Sequence, residues 1–402
     1  MPRKLVDLLI CLIALVAVSA AAIRPVVAQP APQVVALWHN LNGPGQNALN
    51  WIIRRYQAAH PDVQIDARYV DSDLQAAYLN AFRAQRSPDM ILGLSSWTNQ
   101  LADLNAIISL DARMSDDITA NTYPAAWQSI RYRGQTYGIP NSAECVALYY
   151  NSRLVAKPAS SFDALLSQIQ GKPSATLSIA YDFYTTAGMY FGLGGRFTDK
   201  NNQLALDANV LVNYLTMLRQ MYTANSLNPL LPGGVPVTTD VSFRLGQSAY
   251  LIDGSWKLAD LNRYLNVPLR VAILPDLSTG HPWKPLVNTI AFFIGANSDR
   301  QDAAFDFATY ALTSNAQTVI AALGGEPPVN LKARVDDSRL AAFTKQCAAG
   351  AAVSPDPGLS TFWRVLDQAA FAVTVNEQPV DTIASSAMKQ AALALATATP
   401  HP

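Results

Sequence analysis

Two short apolar strands follow one another almost end to end within residues 133–151, which read RGQTYGIPNSAECVALYYN. The segment QTYGI predicts the first strand, and we expect Pro140 to end it because proline has no N–H to donate. The segment VALYY, closed by Asn151, predicts the second strand. Only a short polar segment with one acid, Glu144, separates the two. A chain that passes so directly from strand to strand predicts a crossing between two lobes.

Strands and helices alternate between Val34 and about Leu110. VVALW, VQIDARY and PDMILGL predict strands, and an apolar stripe at helical spacing follows the first of them. A second helix is expected after VQIDARY, capped by Asp71 or Ser72. This alternation indicates an α/β fold with mainly parallel sheets. Ligands bind beyond the carboxyl ends of such strands, so residues 39–45 and 94–99 are candidate binding loops.

Composition and motifs exclude several classes of function. Charged residues make up 14% of the chain, and 29 basic residues balance 29 acidic ones, so no basic surface for nucleic acid is expected. The patterns HExxH, GxSxG and GxxxxGK[ST] are absent, and the four histidines lack metal-ligand spacing. We therefore expect no catalytic residues, no metal and no cofactor.

The N-terminus has the parts of an export signal. Arg3 and Lys4 precede an apolar run, which small residues follow. Cleavage after Ala28 is favoured, which makes residues 1–28 a signal peptide. An uncleaved membrane anchor is the alternative, because the run approaches the ~18 apolar residues that span a bilayer.

Two cysteines, Cys145 and Cys347, follow the signal. Although an oxidising compartment permits pairing, spacing alone does not show it. Cys145 enters a predicted strand and Cys347 lies in a helix-like segment, so both suit small buried apolar sites. We expect both to be free thiols.

Three further segments accompany the crossing in a fixed order. FRLGQSAYLIDGSW covers residues 243–256, KPLVNTIAFFIGANSDRQDAAFDFATYALT starts at Lys284, and STFWRVLDQAAFAVTVNEQPVDTIASSAMKQA starts at Ser360. With the crossing, they resemble the extracellular solute-binding proteins of ABC importers, in the sugar-binding family that includes maltose-binding protein.

The resemblance implies a two-lobed periplasmic-binding-protein fold whose lobes are joined by three hinge crossings, near 141–144, 286–289 and 327–331. It places the first lobe at residues 34–141 plus 288–330. The second lobe covers residues 142–287 plus 331–395, and residues 396–402 form a tail.

The resemblance also implies a set of ligand-binding residues. Trp256 and Trp363 match family positions that hold an aromatic ring against a sugar. Tyr184 and Asp182 match a further aromatic residue and an acid, and Glu144 matches an acid of the first crossing. Asn40, Asn42 and Trp97 lie in the two candidate binding loops, which carry no charged residue where maltose-binding members have one.

Aromatic rings cover the apolar faces of a pyranose, while Asp, Glu and Asn bind its hydroxyls. The implied function is therefore an exported sugar-binding subunit that delivers its ligand to membrane permease subunits and acts as a monomer. Another solute, such as a glycerophosphodiester, a polyamine or a peptide, is one alternative. An exported glycoside hydrolase that uses Glu144 and Asp182 is another. Large aromatics are usually buried, so each tryptophan could instead belong to the core.

Overall fold

The computed structural model describes residues 31–41, 43–71, 73–170, 176–197, 205–224, 230–231, 235–236, 240–264, 268–278, 280–353 and 357–397. The expected signal peptide, residues 1–28, and most of the expected tail lie outside this range. Among the described helices, none has the length and apolarity needed to cross a membrane.

Fourteen strands lie in the described part of the chain. They are β1 Gln33–His39, β2 Val63–Tyr69, β3 Met90–Leu94, β4 Arg131–Tyr132, β5 Gln135–Thr136, β6 Gly138–Glu144, β7 Val146–Asn151, β8 Thr176–Ile179, β9 Leu230–Leu231, β10 Val235–Pro236, β11 Ser248–Gly254, β12 Leu269–Ala272, β13 Leu286–Ile294 and β14 Ala351–Ala352.

Fifteen α-helices are described with them. They are α1 Gly43–Ala59, α2 Leu74–Arg83, α3 Thr98–Asp103, α4 Asp116–Thr119, α5 Pro124–Gln128, α6 Phe162–Ile169, α7 Phe183–Gly192, α8 Ala208–Ala224, α9 Val241–Arg244, α10 Leu258–Tyr264, α11 Gln301–Ala311, α12 Ser314–Val319, α13 Ser338–Ala348, α14 Pro357–Thr374 and α15 Val380–Thr397. Short 3₁₀ turns cover Ser95–Trp97, Asp111–Arg113 and Ser255–Lys257, and a π-helical turn covers Ile320–Gly324.

The strands form two main sheets, which confirms the predicted two-lobed α/β architecture. The first sheet has the order β14-β13-β3-β1-β2, with β6 paired to β13, and the second has the order β12-β7-β11-β8. In the first sheet β1 runs parallel to β2 and β3, whereas β13 is antiparallel to β3 and β6. In the second sheet only β8 and β11 are parallel, because β7 runs opposite to both β11 and β12. "Mainly parallel" therefore describes the first sheet and is wrong for the second.

The predicted first crossing is the junction of β6 with β7. β6 belongs to the first sheet, β7 to the second, and Cys145 alone separates them. Pro140 does not end the first strand, which was the expectation, since β6 continues to Glu144. A register shift in the pairing with β13 next to Pro140 accommodates the missing N–H.

A second correction concerns the start of α2. The residue that caps this helix is Asp73, whose carboxylate accepts a hydrogen bond from the Ala76 N–H at 3.1 Å, rather than Asp71 or Ser72. The shift is two residues or less, the usual uncertainty of a helix boundary read from sequence.

Segment 326–330 runs beside β6 on the side away from β13. The Ala143 N–H donates to the Pro327 carbonyl at 3.0 Å, and Ser142 forms an antiparallel bridge with Pro328. The fully buried Gln317 side chain fixes both segments, because its amide N–H donates to the Asn141 carbonyl at 2.8 Å and its oxygen accepts from Val329 N–H at 2.8 Å. The first and third crossings are therefore hydrogen-bonded neighbours.

The prediction that Cys145 and Cys347 are free thiols is wrong, because the two form a disulfide bond. Helix α13 packs against β7 and brings the two Cα atoms to 5.6 Å across a sequence separation of 202 residues. This Cα–Cα distance lies within the range that a disulfide requires. Both cysteines are buried as expected, but they share one buried site instead of occupying two separate ones.

Candidate functional site

Three aromatic side chains of the predicted set come together on the second sheet. The ring centroid of Tyr184, on α7, lies 5.8 Å from that of Trp256 and 6.0 Å from that of Trp363. Trp256 follows the end of β11, and Trp363 lies on α14. Residues about 70 and 110 positions apart in the sequence thus form one cluster of rings, here called the aromatic wall.

The turn after β11 explains how Trp256 is placed. A Cβ atom at Gly254 would lie 2.1 Å from the Trp256 ring, so only glycine lets the indole fold back over the strand end. The Tyr149 hydroxyl donates to the Gly254 carbonyl at 2.8 Å, and the Ser255 N–H donates to the Cys145 carbonyl at 3.2 Å. These two hydrogen bonds hold the backbone of the turn, while Trp256 stays 43% exposed.

The other two rings are less free. Trp363 is half-buried and makes an edge contact with Phe183 at 5.4 Å between centroids. Tyr184 is also half-buried and packs on the core of the second sheet. Trp256 therefore has the most exposed ring of the wall, and the other two combine a core contact with an exposed part.

Carboxyl groups act electrostatically on Tyr184 and on one another near this wall. Burial raises the pKa of the Tyr184 hydroxyl, and the nearby charges of Glu144 and Asp182 raise it further. Asp253, at the end of β11, has its pKa raised to about 6 by burial and, to a lesser degree, by the charges of Asp240 and Asp182. Because these groups act on one another, Glu144, Asp182, Asp253 and Tyr184 lie in one region.

Asp182 has a structural role that the sequence did not indicate. Its carboxylate caps α7, accepting hydrogen bonds from the Thr185 N–H at 2.8 Å and the Thr185 hydroxyl at 3.3 Å. Burial of the carboxyl group raises its pKa although the residue as a whole is exposed, and the hydrogen bonds from Thr185 oppose that rise. Its capping bond leaves only part of the carboxylate for a ligand.

Glu144 and a second glutamate, Glu326, lie where the first and third crossings run side by side. Burial raises the pKa of Glu144 to about 7, and the charge of Glu326 adds to the rise. Burial also raises the pKa of Glu326, which the hydrogen bond from Ser142 opposes. Sequence reasoning missed Glu326 because GGEPP read only as an interruption of the helical pattern. It missed Asp253 too, although Asp253 stands directly in the DGSW turn.

The first sheet has its own tryptophan turn. Trp97 follows β3, and a Cβ atom at Gly93 would lie 2.0 Å from its ring. In the same turn the Ser95 hydroxyl donates to the Asn288 side-chain oxygen at 2.8 Å and accepts from the Thr289 N–H at 3.1 Å. Ser95 thereby ties the turn to the second crossing. Trp97 itself is half-buried against the core.

The remaining predicted residues are not brought to the aromatic wall by any described contact. Asn40 is exposed after β1, and Asn42 lies outside the described residues. No ring contact joins Trp97 to Trp256, Tyr184 or Trp363 among the described aromatics. The part of the chain that the structure describes also holds no group of three or more His, Cys, Asp or Glu that could bind a metal.

The fold is that of known two-lobed sugar-binding proteins. A cyclo/maltodextrin-binding protein complexed with maltotetraose superposes with a TM-score of 0.80, covers 92% of this chain and 100% of its own, and is 18% identical. The maltotriose-binding protein of Thermus thermophilus superposes with a TM-score of 0.69 at 19% identity, over 90% of this chain and 100% of its own. At such identities the likeness establishes the fold.

Sequence comparison defines the family. The family model of the bacterial extracellular solute-binding proteins matches residues 51–348, so the chain belongs to that family. The maltotriose-binding protein of Pyrococcus abyssi is 24% identical over 295 residues, which cover 71% of this chain and 63% of the relative. A maltodextrin-binding protein of Bacillus subtilis is 22% identical over 282 residues, 65% of this chain and 67% of the relative.

Proposed function

We propose that this protein is the exported sugar-binding subunit of an ABC importer and that its ligand is an α-glucan oligosaccharide such as maltotriose. The observation that carries the proposal is the wall formed by Trp256, Tyr184 and Trp363. Relatives from two organisms bind maltotriose or maltodextrin, which supports the choice of ligand.

The chemistry of the wall suits a sugar. Pyranose rings have apolar faces, which flat aromatic rings cover, and hydroxyl edges, which carboxylates bind. The exposed ring of Trp256 offers such a face, and Glu144 and Asp253 stand close to the wall with carboxyl oxygens.

Binding would act by closure of the two lobes, with no bond made or broken. Lobe one would comprise residues 34–141 plus 288–330, and lobe two residues 142–287 plus 331–395. Residues 141–144, 286–289 and 327–331 would absorb the rotation. A ligand that touches both lobes shifts the balance toward the closed form because it binds that form more tightly. The closed monomer would then deliver the sugar to permease subunits in the membrane.

The disulfide supports an exported location. Disulfides persist in oxidising compartments such as the periplasm and the outer face of the membrane. The bond between Cys145 and Cys347 is the kind of link that such a compartment maintains.

The test is calorimetric titration of the purified protein with maltotriose, alongside the W256A and W363A variants. We expect the wild type to bind and each variant to lose affinity on the order of tenfold or more, since truncating a binding hot spot costs about 2 kcal/mol. The W51A variant is the matched control, since Trp51 is a half-buried tryptophan on α1, outside both candidate binding loops.

Absence of binding to maltotriose, maltodextrin or other sugars would refute the proposed function. Binding that survives unchanged in W256A would refute the assigned site while leaving the function intact. Release of product from a chromogenic glycoside would show that the protein is a hydrolase instead.

A further inference from the structure

The chain contains only three glutamates, Glu144, Glu326 and Glu377, and the first two lie in hydrogen-bonded neighbouring segments. Ala143 pairs with Pro327, and Ser142 pairs with Pro328, in an antiparallel arrangement. Extending this register by one residue places Glu144 opposite Glu326. Side chains directly opposite in an antiparallel pair lie on one face and interact, and like charges in such positions repel.

The two carboxyl groups differ in their hydrogen bonds. The Ser142 hydroxyl donates to Glu326 Oε2 at 2.5 Å, and this bond favours the ionised form of Glu326. The Glu144 carboxyl group accepts no hydrogen bond from any described residue. On the other side of β6, its neighbour is the neutral Asn288. A single proton shared by the pair therefore belongs on Glu144.

The charges on the surrounding elements do not neutralise the pair. Helices α11 and α13, which contact β6, carry four charged side chains, Asp302, Asp306, Arg339 and Lys345, but none contributes to the pKa of Glu144 or Glu326. Arg339 is bound to Asp337 at 2.6 Å. Strand β13 and helix α5 carry no charged residue. On α7, the charges of Glu144 and Asp182 both act on the Tyr184 hydroxyl.

We propose that Glu326 is a positioning residue that keeps a proton on Glu144, so that Glu144 offers an O–H group to an oxygen of the bound sugar. This inference rests on the proposed sugar-binding function, because Glu144 lies beside the aromatic wall through Tyr184. Protonated, Glu144 is a hydrogen-bond donor, whereas an ionised carboxylate only accepts. Burial raises the pKa of both carboxyl groups, but the charge of the partner adds to the rise only at Glu144, and the Ser142 hydrogen bond opposes the rise only at Glu326.

The consequence is that sugar binding takes up a proton at neutral pH and above. Affinity should be constant below about pH 6 and should weaken as pH rises through the pKa of Glu144, which is about 7. If only the protonated form binds well, the dissociation constant rises by up to about tenfold per pH unit above that value.

The first experiment measures the pair in the ligand-free protein. With the glutamate side-chain carboxyl carbons labelled, the chain gives three signals, and exposed Glu377 serves as an internal reference. We expect one signal to titrate in the neutral range, to disappear in E144Q, and to move toward the ordinary value near ~4.3 in E326Q. Because glutamine keeps the acceptor that binds Ser142, E326Q removes the charge while retaining the hydrogen bond. A Glu144 signal that titrates near the ordinary ~4.3, or that E326Q leaves unmoved, would overturn the proposal.

The second experiment titrates maltotriose into the wild type, E144Q and E326Q between pH 5.5 and 9. We expect the dissociation constant of the wild type to rise on the order of tenfold or more across this pH range. The dissociation constant of E144Q should vary by less than about twofold over the same range. In E326Q the midpoint of the rise should shift to lower pH. Flat wild-type affinity would overturn the donor role of Glu144. If maltotriose fails to bind at every pH, the proposed function is wrong, and the carboxyl titration still decides whether the pair shares a proton.

Discussion

The two tryptophan turns of the molecule are built alike but serve different ends. Each follows a buried strand, β3 or β11, and each indole folds back over a glycine that no other residue could replace. Trp97 packs half-buried against the core of the first sheet, whereas Trp256 is 43% exposed and contacts Tyr184. The same local device therefore yields a core contact in one sheet and an open ring in the other.

The difference lies in what fixes each turn. The first turn is held by packing of Trp97 and by the Ser95 hydroxyl, which binds Asn288 and Thr289. The second turn is held through its backbone, by Tyr149 and by Cys145, a residue of the disulfide. The exposed ring of Trp256 has less core packing to hold it, so the hydrogen bonds beneath the turn hold its backbone in place.

The largest expected effect is that of the disulfide. Replacing both cysteines (C145A/C347A) should lower the free energy of unfolding by about 2–5 kcal/mol, because the unfolded chain loses a constraint. Denaturant unfolding of the oxidised protein and of the variant measures the change.

The disulfide variant also tests the comparison of the two turns. Because Ser255 N–H donates to the Cys145 carbonyl, hydrogen exchange in the variant should rise around Ser255 and remain unchanged around Ser95. Equal loosening of both turns would show that the disulfide stabilises the molecule as a whole and does not anchor the exposed turn.

The next effect separates the two tryptophans. W97A should cost about 2–4 kcal/mol of stability, since its ring packs on the core, whereas W256A should cost less than about 1 kcal/mol. Thermal or denaturant melts of the two variants, compared with their affinities for maltotriose, measure both roles. Similar stability losses in the two variants would mean that Trp256 is a core residue, and the comparison would fail.

Most of the fold could be predicted because its signals are local. Alternating strands and helices, and two apolar strands separated only by residues 140–145, depend only on neighbouring residues, and the first crossing follows from them directly. The prediction that the second sheet is mainly parallel was wrong. β7 pairs with strands about 100 residues away, and the direction of such pairing cannot be read from the hydrophobic periodicity.

The site was predicted unevenly for a similar reason. Trp256, Tyr184 and Trp363 could be proposed because each stands in a motif, and the structure brings the three rings together. Glu326 and Gln317 were missed because their roles arise only when the third crossing meets the first, across more than 170 residues. The disulfide was missed for the same reason, since its two buried sites looked independent in the sequence.

A smaller effect on stability is expected at the residue that precedes the glycine of each tryptophan turn. This residue is Asp253 in the second turn and Leu92 in the first. Burial raises the pKa of Asp253 to about 6, above its ordinary value. A carboxyl group with a raised folded pKa costs stability as pH rises from about 4 to about 6, and the cost is constant at higher pH. We expect D253N to gain about 1–2 kcal/mol at pH 7 and almost nothing at pH 3.5.

Denaturant melts of D253N and the wild type across this pH range measure the difference. Parallel pH profiles for the two proteins would show that the Asp253 carboxyl is well solvated. In that case the second turn would not bury a carboxyl group, and in this respect it would not differ from the first turn.

The smallest expected effect on stability is that of removing a helix cap. Two such caps can be compared, Asp182 of α7 near the aromatic wall and Asp73 of α2 on the first sheet. Each carboxylate accepts a hydrogen bond from the first turn of its helix, so D182A and D73A should each lose about 1 kcal/mol of stability. Asparagine is an equally good cap, and D182N should therefore keep its stability. Titration of maltotriose into D182N then separates capping from ligand contact. Affinity that falls in D182N while D73N binds like the wild type assigns the second carboxylate oxygen of Asp182 to the sugar. Unchanged affinity in D182N leaves Asp182 as a helix cap only, the same role that Asp73 has in the other half of the molecule.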